Sequence, residues 1–373
     1  MGALQNWLPS LCVVLCFSAV AHAAPPGLYE LGELSSGSPY FSHFTSQALG
    51  VSGDGRVAVG NGKLWLSVPD FPLVFYQEEF RSEDGVMRSL APLVANHDRS
   101  IARAANYDGT FITGTLYRSP PAWRGGFVWD WLGGTSGWLG DLPGGSTWSN
   151  GTAIPDDGTV IAGYSVEAIN ERAIRWEAGP PPAMSTLKTG LEYSHSFGVS
   201  GDGARIVGLQ QESFPSPHEV AGCWIGLSMT DLPSPPGDFG TRAWGISSDG
   251  STIVGRSRQS SGDVATRWDG CSATANAELL GIAPGHLESD ANDASTDGGV
   301  IVGWSRLDVN SDPEASIWDA EHGIQLLHDV LVDDYGFDLT GWTLREAEAI
   351  SGDGTDPRGF TGENHSPEQA VPL

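Results

Sequence analysis

Short runs rich in apolar and β-branched residues recur along the chain between two fixed landmarks. Val57-Ala58-Val59, Phe111-Ile112-Thr113, Val160-Ile161-Ala162, Arg205-Ile206-Val207, Thr252-Ile253-Val254 and Val300-Ile301-Val302 each follow an Asp-Gly pair and end at a glycine. The aspartates are Asp54, Asp108, Asp157, Asp202, Asp249, Asp297 and Asp353, and the closing glycines stand six residues later, at Gly60, Gly114, Gly163, Gly208, Gly255, Gly303 and Gly359. Asp-Gly between two strand-like runs predicts a hairpin turn, since glycine takes positive φ without steric cost and aspartate tolerates it. The stretch ahead of each turn has its own pattern. Six residues before the aspartate stands a small residue every time: Ala48, Ala102, Gly151, Ser196, Ala243, Ala291 or Ala347. Four before, it is again Gly or Ala, with Asp293 the exception. Seven and five before, the residues differ: Gln47/Leu49, Ile101/Arg103, Asn150/Thr152, His195/Phe197, Arg242/Trp244, Asp290/Asn292 and Glu346/Glu348. Strand alternation puts the small set on one face and the variable set on the other.

The aspartates lie 45 to 56 residues apart. Each unit reads as a segment like Leu139-Gly140-Asp141-Leu142, a small-residue strand, the turn, a β-branched strand and a strand ending in Trp. Four short strands per unit, seven units and no predicted helix point to an all-β fold, a seven-bladed β-propeller of four-stranded antiparallel blades. Small residues then suit the innermost strands, where blades converge. The 50 Gly and 24 Pro fit so many turns. Trp129, Trp176, Trp224, Trp268 and Trp318 recur at one position of the unit and read as blade packing, whereas Trp148 and Trp244 fall outside that set.

The first residues change the picture of where this fold resides. An apolar run from Leu11 to Val20 leads to Ala21-His22-Ala23 and then Pro25-Pro26, which reads as a secretory leader over residues 1–23. A single propeller domain over 24–373 is then expected to be exported, secreted or periplasmic, and monomeric. Removal of the leader leaves two cysteines, Cys223 and Cys271, whose pairing is open. The net charge of −27 is spread along the chain; it opposes nucleic acid and anionic membrane surfaces and favours solubility.

The unit resembles that of the extracellular HAF-type repeat proteins of bacteria, through Leu139-Gly140-Asp141-Leu142, through Ser247-Ser248-Asp249-Gly250 with Gly255, and through Ala173-Ile174-Arg175-Trp176. The resemblance covers about residues 28–373. It implies an exported, β-propeller-like protein with no established activity, and it carries over no catalytic residue. Two stretches depart from the pattern: the second half of the first unit is irregular, and the last unit has Thr355-Asp356-Pro357-Arg358 in place of its β-branched strand.

Chemistry, if any, should sit where the repeats differ. A funnel lined by Arg103, His195, Arg242, Trp244, Asp290 and Glu346 would suit a polar ligand such as a carbohydrate, through stacking, cation–π contact and hydrogen bonds. The bland reading is that these residues fill space between blades or pair with one another. The seven turn aspartates are structural, because catalysis does not need one carboxylate seven times. Asp290 with Glu346 or Glu348 is a candidate carboxylate pair for a polysaccharide hydrolase or lyase. His43, His97 and His286 share one repeat offset, and Asp308 to Asp312 imitates the opening of a calcium loop but has Pro313 where glycine is required. Neither carries a metal expectation, and no cofactor is expected. No nucleophile elbow, zinc-protease or phosphate-loop motif is present. The reading is a binding or surface-interaction module, with a polysaccharide-active enzyme or a purely structural envelope protein as alternatives.

Overall fold

The computed structural model describes residues 13–16, 27–31, 41–66, 74–90, 99–118, 123–144, 146–177, 183–187, 189, 193–211, 218–354 and 357–364. Strands dominate them. Four sheets have four antiparallel strands in chain order. The first runs Ser149–Ala153, Val160–Glu167, Asn170–Glu177, Ala183–Thr186. The others begin at Tyr193–Val199, Thr241–Ile246 and Glu288–Ala294. An eight-stranded sheet holds two antiparallel groups, Phe41–Val51 to Val86–Ser89 and Arg99–Ala105 to Thr135–Trp138, joined by one parallel pairing of Gln77 with Arg99. The seven expected blades do not all stand as separate sheets, because the first two units share this one.

A last sheet joins the chain ends. Trp342–Ile350 pairs with Pro357–Asn364, which pairs with Val13–Cys16, which pairs with Gly27–Glu30. Val13–Cys16 belongs to the expected leader, whose cleavage motif lies outside the described residues. Pro357–Asn364 is a strand although its unit lacks the β-branched run, because backbone pairing to its neighbours does not depend on that run.

The turns form a ring. Asp54 N–H donates to Tyr107 O, Tyr107 to Asp156 O, Asp156 to Gly201 O and Gly201 to Ser248 O; Asp249 donates to Thr296 O, Thr296 to Gly352 O and Gly352 to Gly53 O, all at 2.8 to 3.2 Å. This circle of seven bonds places all seven Asp-Gly turns around one axis.

Within each turn the aspartate acts locally. Asp54, Asp108, Asp157, Asp202, Asp249 and Asp297 each accept, through Oδ1, the N–H two residues on. A serine two residues earlier donates to Asp54, Asp202, Asp249, Asp297 and Asp353. Positive φ falls on the glycine alone, as at Gly250 (φ 73), because the turn spans four residues from Ser247 and the aspartate precedes the left-handed position. The tight two-residue turn in which aspartate itself takes positive φ occurs instead at Asp84-Gly85.

The closing glycine answers a different need. A Cβ on Gly255 would lie 2.0 Å from the carbonyl oxygen of Arg242, and the equivalent contact at Gly60, Gly114, Gly163, Gly208 and Gly303 is 1.9 to 2.0 Å. The obstructing carbonyl belongs each time to the residue seven before the aspartate. The inner strand Trp342–Ile350 shifts register elsewhere, between Leu344 and Ala347, but in the other six the carbonyl approaches because the register shifts next to it, between Ala48 and Gly50, Ala102 and Ala104, Gly151 and Ala153, Ser196 and Gly198, Ala243 and Gly245, and Ala291 and Asp293. The extra residue of each of these six bulges is the one five before the aspartate.

The sheets pack through the recurrent tryptophans: Trp129, Trp176, Trp224 and Trp268 are fully buried and Trp318 nearly so. Cys223 and Cys271 form a disulfide that ties neighbouring sheets, with Cα atoms 5.5 Å apart. One short helix, Leu327–Asp333, departs from the helix-free expectation; it buries Leu327 and Leu331 against Leu339, Leu344 and Val302.

Candidate functional site

The bulges decide which side chains meet at the axis. A β-bulge leaves one residue unpaired and re-aims its side chain. The bulge residues Leu49, Arg103, Thr152, Phe197, Trp244 and Asn292, together with Glu348, line a cavity of about 250 Å³. Toward the turns its wall is aliphatic, with Val51, Ala105, Ile154, Val199, Ile246, Ala294 and Ile350. The turn ring edges it with Gly53, Asp156, Gly201, Ser248, Thr296 and Gly352, and Ser248 Oγ donates to Asp156 Oδ2 across the intervening Gly201.

Of the six residues singled out from the sequence, Arg103 and Trp244 line this cavity. His195, Arg242, Asp290 and Glu346 do not. They sit two residues farther from the turns and are engaged by their own neighbours, so the single lined funnel expected from strand alternation is divided in two by the bulge. His195 Nε2 is 2.6 Å from Glu171 Oε2. Arg242 holds Glu219 through both Nε and Nη2. Burial alone would raise the Glu219 pKa, but the Arg242 bonds and charge carry it below its ordinary value. Glu171 is likewise lowered, chiefly by the hydrogen bond with His195.

Asp290 is buried and receives Trp244 Nε1–H at 3.0 Å, with Arg256 Nη1 at 3.5 Å. Burial pushes its pKa up to about 7 against the pull of Arg256 and Trp244. Asp290 is therefore an anchor for Trp244, and not a partner of Glu346. The carboxylates that do interact are Glu346 and Glu348. Burial raises both; the Glu346 charge adds to the rise at Glu348, which reaches about 8 despite Gln47 and Arg103. Asn292 Nδ2–H donates to Glu346 at 3.1 Å, and Gln47 to Glu348 at 3.3 Å. Asp293, the one non-small residue four before its aspartate, accepts the backbone N–H of Ile350 at 3.0 Å and so stitches two inner strands together. Burial lifts its pKa to about 6. Arg103 Nε is buried without a protein partner.

The funnel set left out Phe197 and Asn292, and Glu348 entered only as a carboxylate-pair candidate. The signal was present, since all three stand five before an aspartate. The metal candidates do not assemble among the described residues. His286 is turned onto Glu314 at 3.2 Å, His97 lies outside the described residues, and so does the side chain of His43. Asp308 caps its own loop through the N–H groups of Asn310 and Ser311, and Asp312 pairs with Arg345.

No family model matches the chain, and no curated protein matches it. Solved structures do resemble it. An oligogalacturonate lyase in complex with manganese superposes with a TM-score of 0.53 at 13% identity, over 87% of this chain and 91% of that one. TolB from Acinetobacter baumannii gives a TM-score of 0.47 at 14% identity, over 74% of this chain and 66% of that one. The β-propeller domain of the Trilobed protease from Pyrococcus furiosus gives 0.41 at 11% identity, over 77% and 95%. Identities this low speak to architecture alone. The ring of turns and the four-stranded sheets around it make the chain an all-β protein of the β-propeller class, and the likeness to the lyase agrees with that architecture.

Proposed function

We propose that this protein is an exported binding module of the HAF-repeat type, which takes a neutral polar ligand, a carbohydrate, at the propeller axis. The observation that carries the reading is the setting of Trp244. Its ring is half-exposed on a bulge, is fixed at Nε1 by Asp290, and is flanked by Phe197 at 4.7 Å and by the guanidinium groups of Arg242 and Arg256 at 5.4 and 5.8 Å. An aromatic face held rigidly beside hydrogen-bonding groups suits the apolar face and hydroxyl rim of a sugar ring. The cavity beside it is smaller than the roughly 300–1,000 Å³ of drug-sized sites, which suits one small unit or a chain end. Export is part of the same proposal and rests on the leader-like first residues and the disulfide.

A glycan array probed with the purified protein, beside a Trp244→Ala variant of matched thermal stability, tests this reading. Binding lost in the variant supports it. Absence of binding by the native protein refutes it. The Glu346–Glu348 pair favours one second reading, in which Glu348, protonated near neutral pH, acts as an acid on a bound glycan. Product analysis of any glycan that binds separates the two. The mass of the exported protein checks the leader, with a chain starting at Ala24 expected.

A further inference from the structure

We infer that the axial site continues outward as a track for a linear, neutral, β-1,4-linked glycan, running from Trp148 at the rim to Trp244 at the axis. This inference rests on the carbohydrate reading above and extends it from one sugar to several.

The track is an unbroken series of ring and guanidinium contacts contributed by successive sheets. Arg124 lies over Tyr117 at 5.3 Å, over Trp148 at 5.0 Å and over Tyr164 at 6.0 Å. Tyr164 stacks on His195 at 4.2 Å, His195 meets Phe197 edge-on at 5.7 Å, and Phe197 meets Trp244 at 4.7 Å. Trp148 is 37% exposed, and Tyr117, Tyr164, His195, Phe197 and Trp244 are all half-buried, so the series stays in reach of solvent along its length. A packing core would bury these rings as it buries Trp129, Trp176, Trp224 and Trp268.

Polar groups fix the rings from their edges. Arg124 donates to Asn150 Oδ1 at 2.6 Å and to the Tyr164 hydroxyl at 3.2 Å. Asn150 is fully buried beneath, and its Nδ2 has no protein partner. His195 leans on Glu171, and Arg242 on Glu219.

This pairing bears on the occupant. Arg124 and Arg242 stand against Glu171 and Glu219, so the track is close to neutral while the whole chain carries −27. A polyanionic glycan would meet long-range repulsion with no local excess of cations to offset it. Neutral sugars stack on aromatic faces and offer hydroxyl donors to carboxylate oxygens, which accept more than one hydrogen bond. A proline-rich segment would also stack, but proline has no N–H to give Glu171 or Glu219. The observations therefore favour the glycan.

Calorimetry with β-1,4 oligomers of glucose and of xylose, from disaccharide to hexasaccharide, tests the track. Affinity of the native protein should climb with length, by roughly 3- to 10-fold for each added stacked unit. Trp148→Ala should flatten the climb for the longer oligomers and leave the shortest binder unchanged, while Trp148→Tyr restores much of it. Trp244→Ala should weaken every length. Binding without length dependence overturns the track and leaves the axial reading standing. No binding to any oligomer overturns the track, while the glycan array decides the axial reading separately. A polyproline peptide that binds more tightly than the hexasaccharides and is lost with Trp148→Ala overturns the choice of occupant. Thermal melts of each variant separate loss of binding from loss of fold.

Discussion

Gly255→Ala tests the physical reason offered for the repeated closing glycine. The new Cβ would stand 2.0 Å from Arg242 O, 2.9 Å from Arg242 C and 3.0 Å from Ala243 Cα. Ordinary contact requires the carbonyl to retreat by at least about 1 Å, and it is backbone, so no rotamer change relieves it. The Arg242 backbone is also held, because Arg242 and Ala243 are paired with Arg256 and Gly255 while the bulge follows at once. Overpacking of this kind costs about 1–3 kcal/mol, and a backbone obstacle places Gly255→Ala near about 3 kcal/mol. For a chain this long that corresponds to a fall in Tm of roughly 4 °C. Gly137→Ala is the matched control. Its φ is not positive and its nearest neighbour is Val128 Cγ1 at 3.9 Å, so the loss of unfolded-state entropy should make it neutral or stabilising by up to about 1 kcal/mol. Urea and thermal unfolding followed by circular dichroism read both. If Gly255→Ala unfolds within about 0.5 kcal/mol of the native protein, the close-approach argument is wrong at that position and at its equivalents.

Three further outcomes follow from the same geometry. Replacing both Cys223 and Cys271 by Ser should lower stability by about 2–4 kcal/mol, given the 48-residue separation, and reductant should do the same to native protein but not to the variant; native protein whose thiols react with a labelling reagent before reduction would contradict the bond. Glu348→Gln should gain on the native protein as pH rises from about 4.5 to about 8: the folded state keeps a proton there that the unfolded chain has released, so native stability falls with pH across that window, and parallel pH–stability curves would disprove it. Asp249→Ala should cost about 1–2 kcal/mol, because the bonds from Ser247 and Ser251 N–H are lost, yet leave glycan affinity unchanged once the folded fraction is allowed for; a selective loss of binding would give the turn aspartates a role that their geometry does not suggest.

Much of the fold was legible because it is written in backbone demands. Positive φ after each aspartate and a carbonyl pressing on six of the closing glycines are needs that only glycine meets, so they surface in the sequence at fixed spacing. The recurrent tryptophans were legible for a similar reason, since one packing position between sheets recurs with the unit. The candidate site was legible only in part. Arg103 and Trp244 line the axial cavity, whereas alternation groups His195, Arg242, Asp290 and Glu346 with them, and a bulge interrupts alternation. The helix Leu327–Asp333 escaped notice because its seven residues are too few for a helical period to stand out.

The sequence by itself determined the unit, the turn in each unit and the all-β class, since each depends on contacts among residues close in the chain. Tertiary structure alone decided what those units bring together. The ring of turn-to-turn hydrogen bonds, the Cys223–Cys271 bond, the raised Glu346–Glu348 pair and the series from Trp148 to Trp244 join residues from different units. Repeat spacing says nothing of how far one sheet is rotated against the next. That rotation, set by sheet packing around the axis, chooses which variable side chains touch.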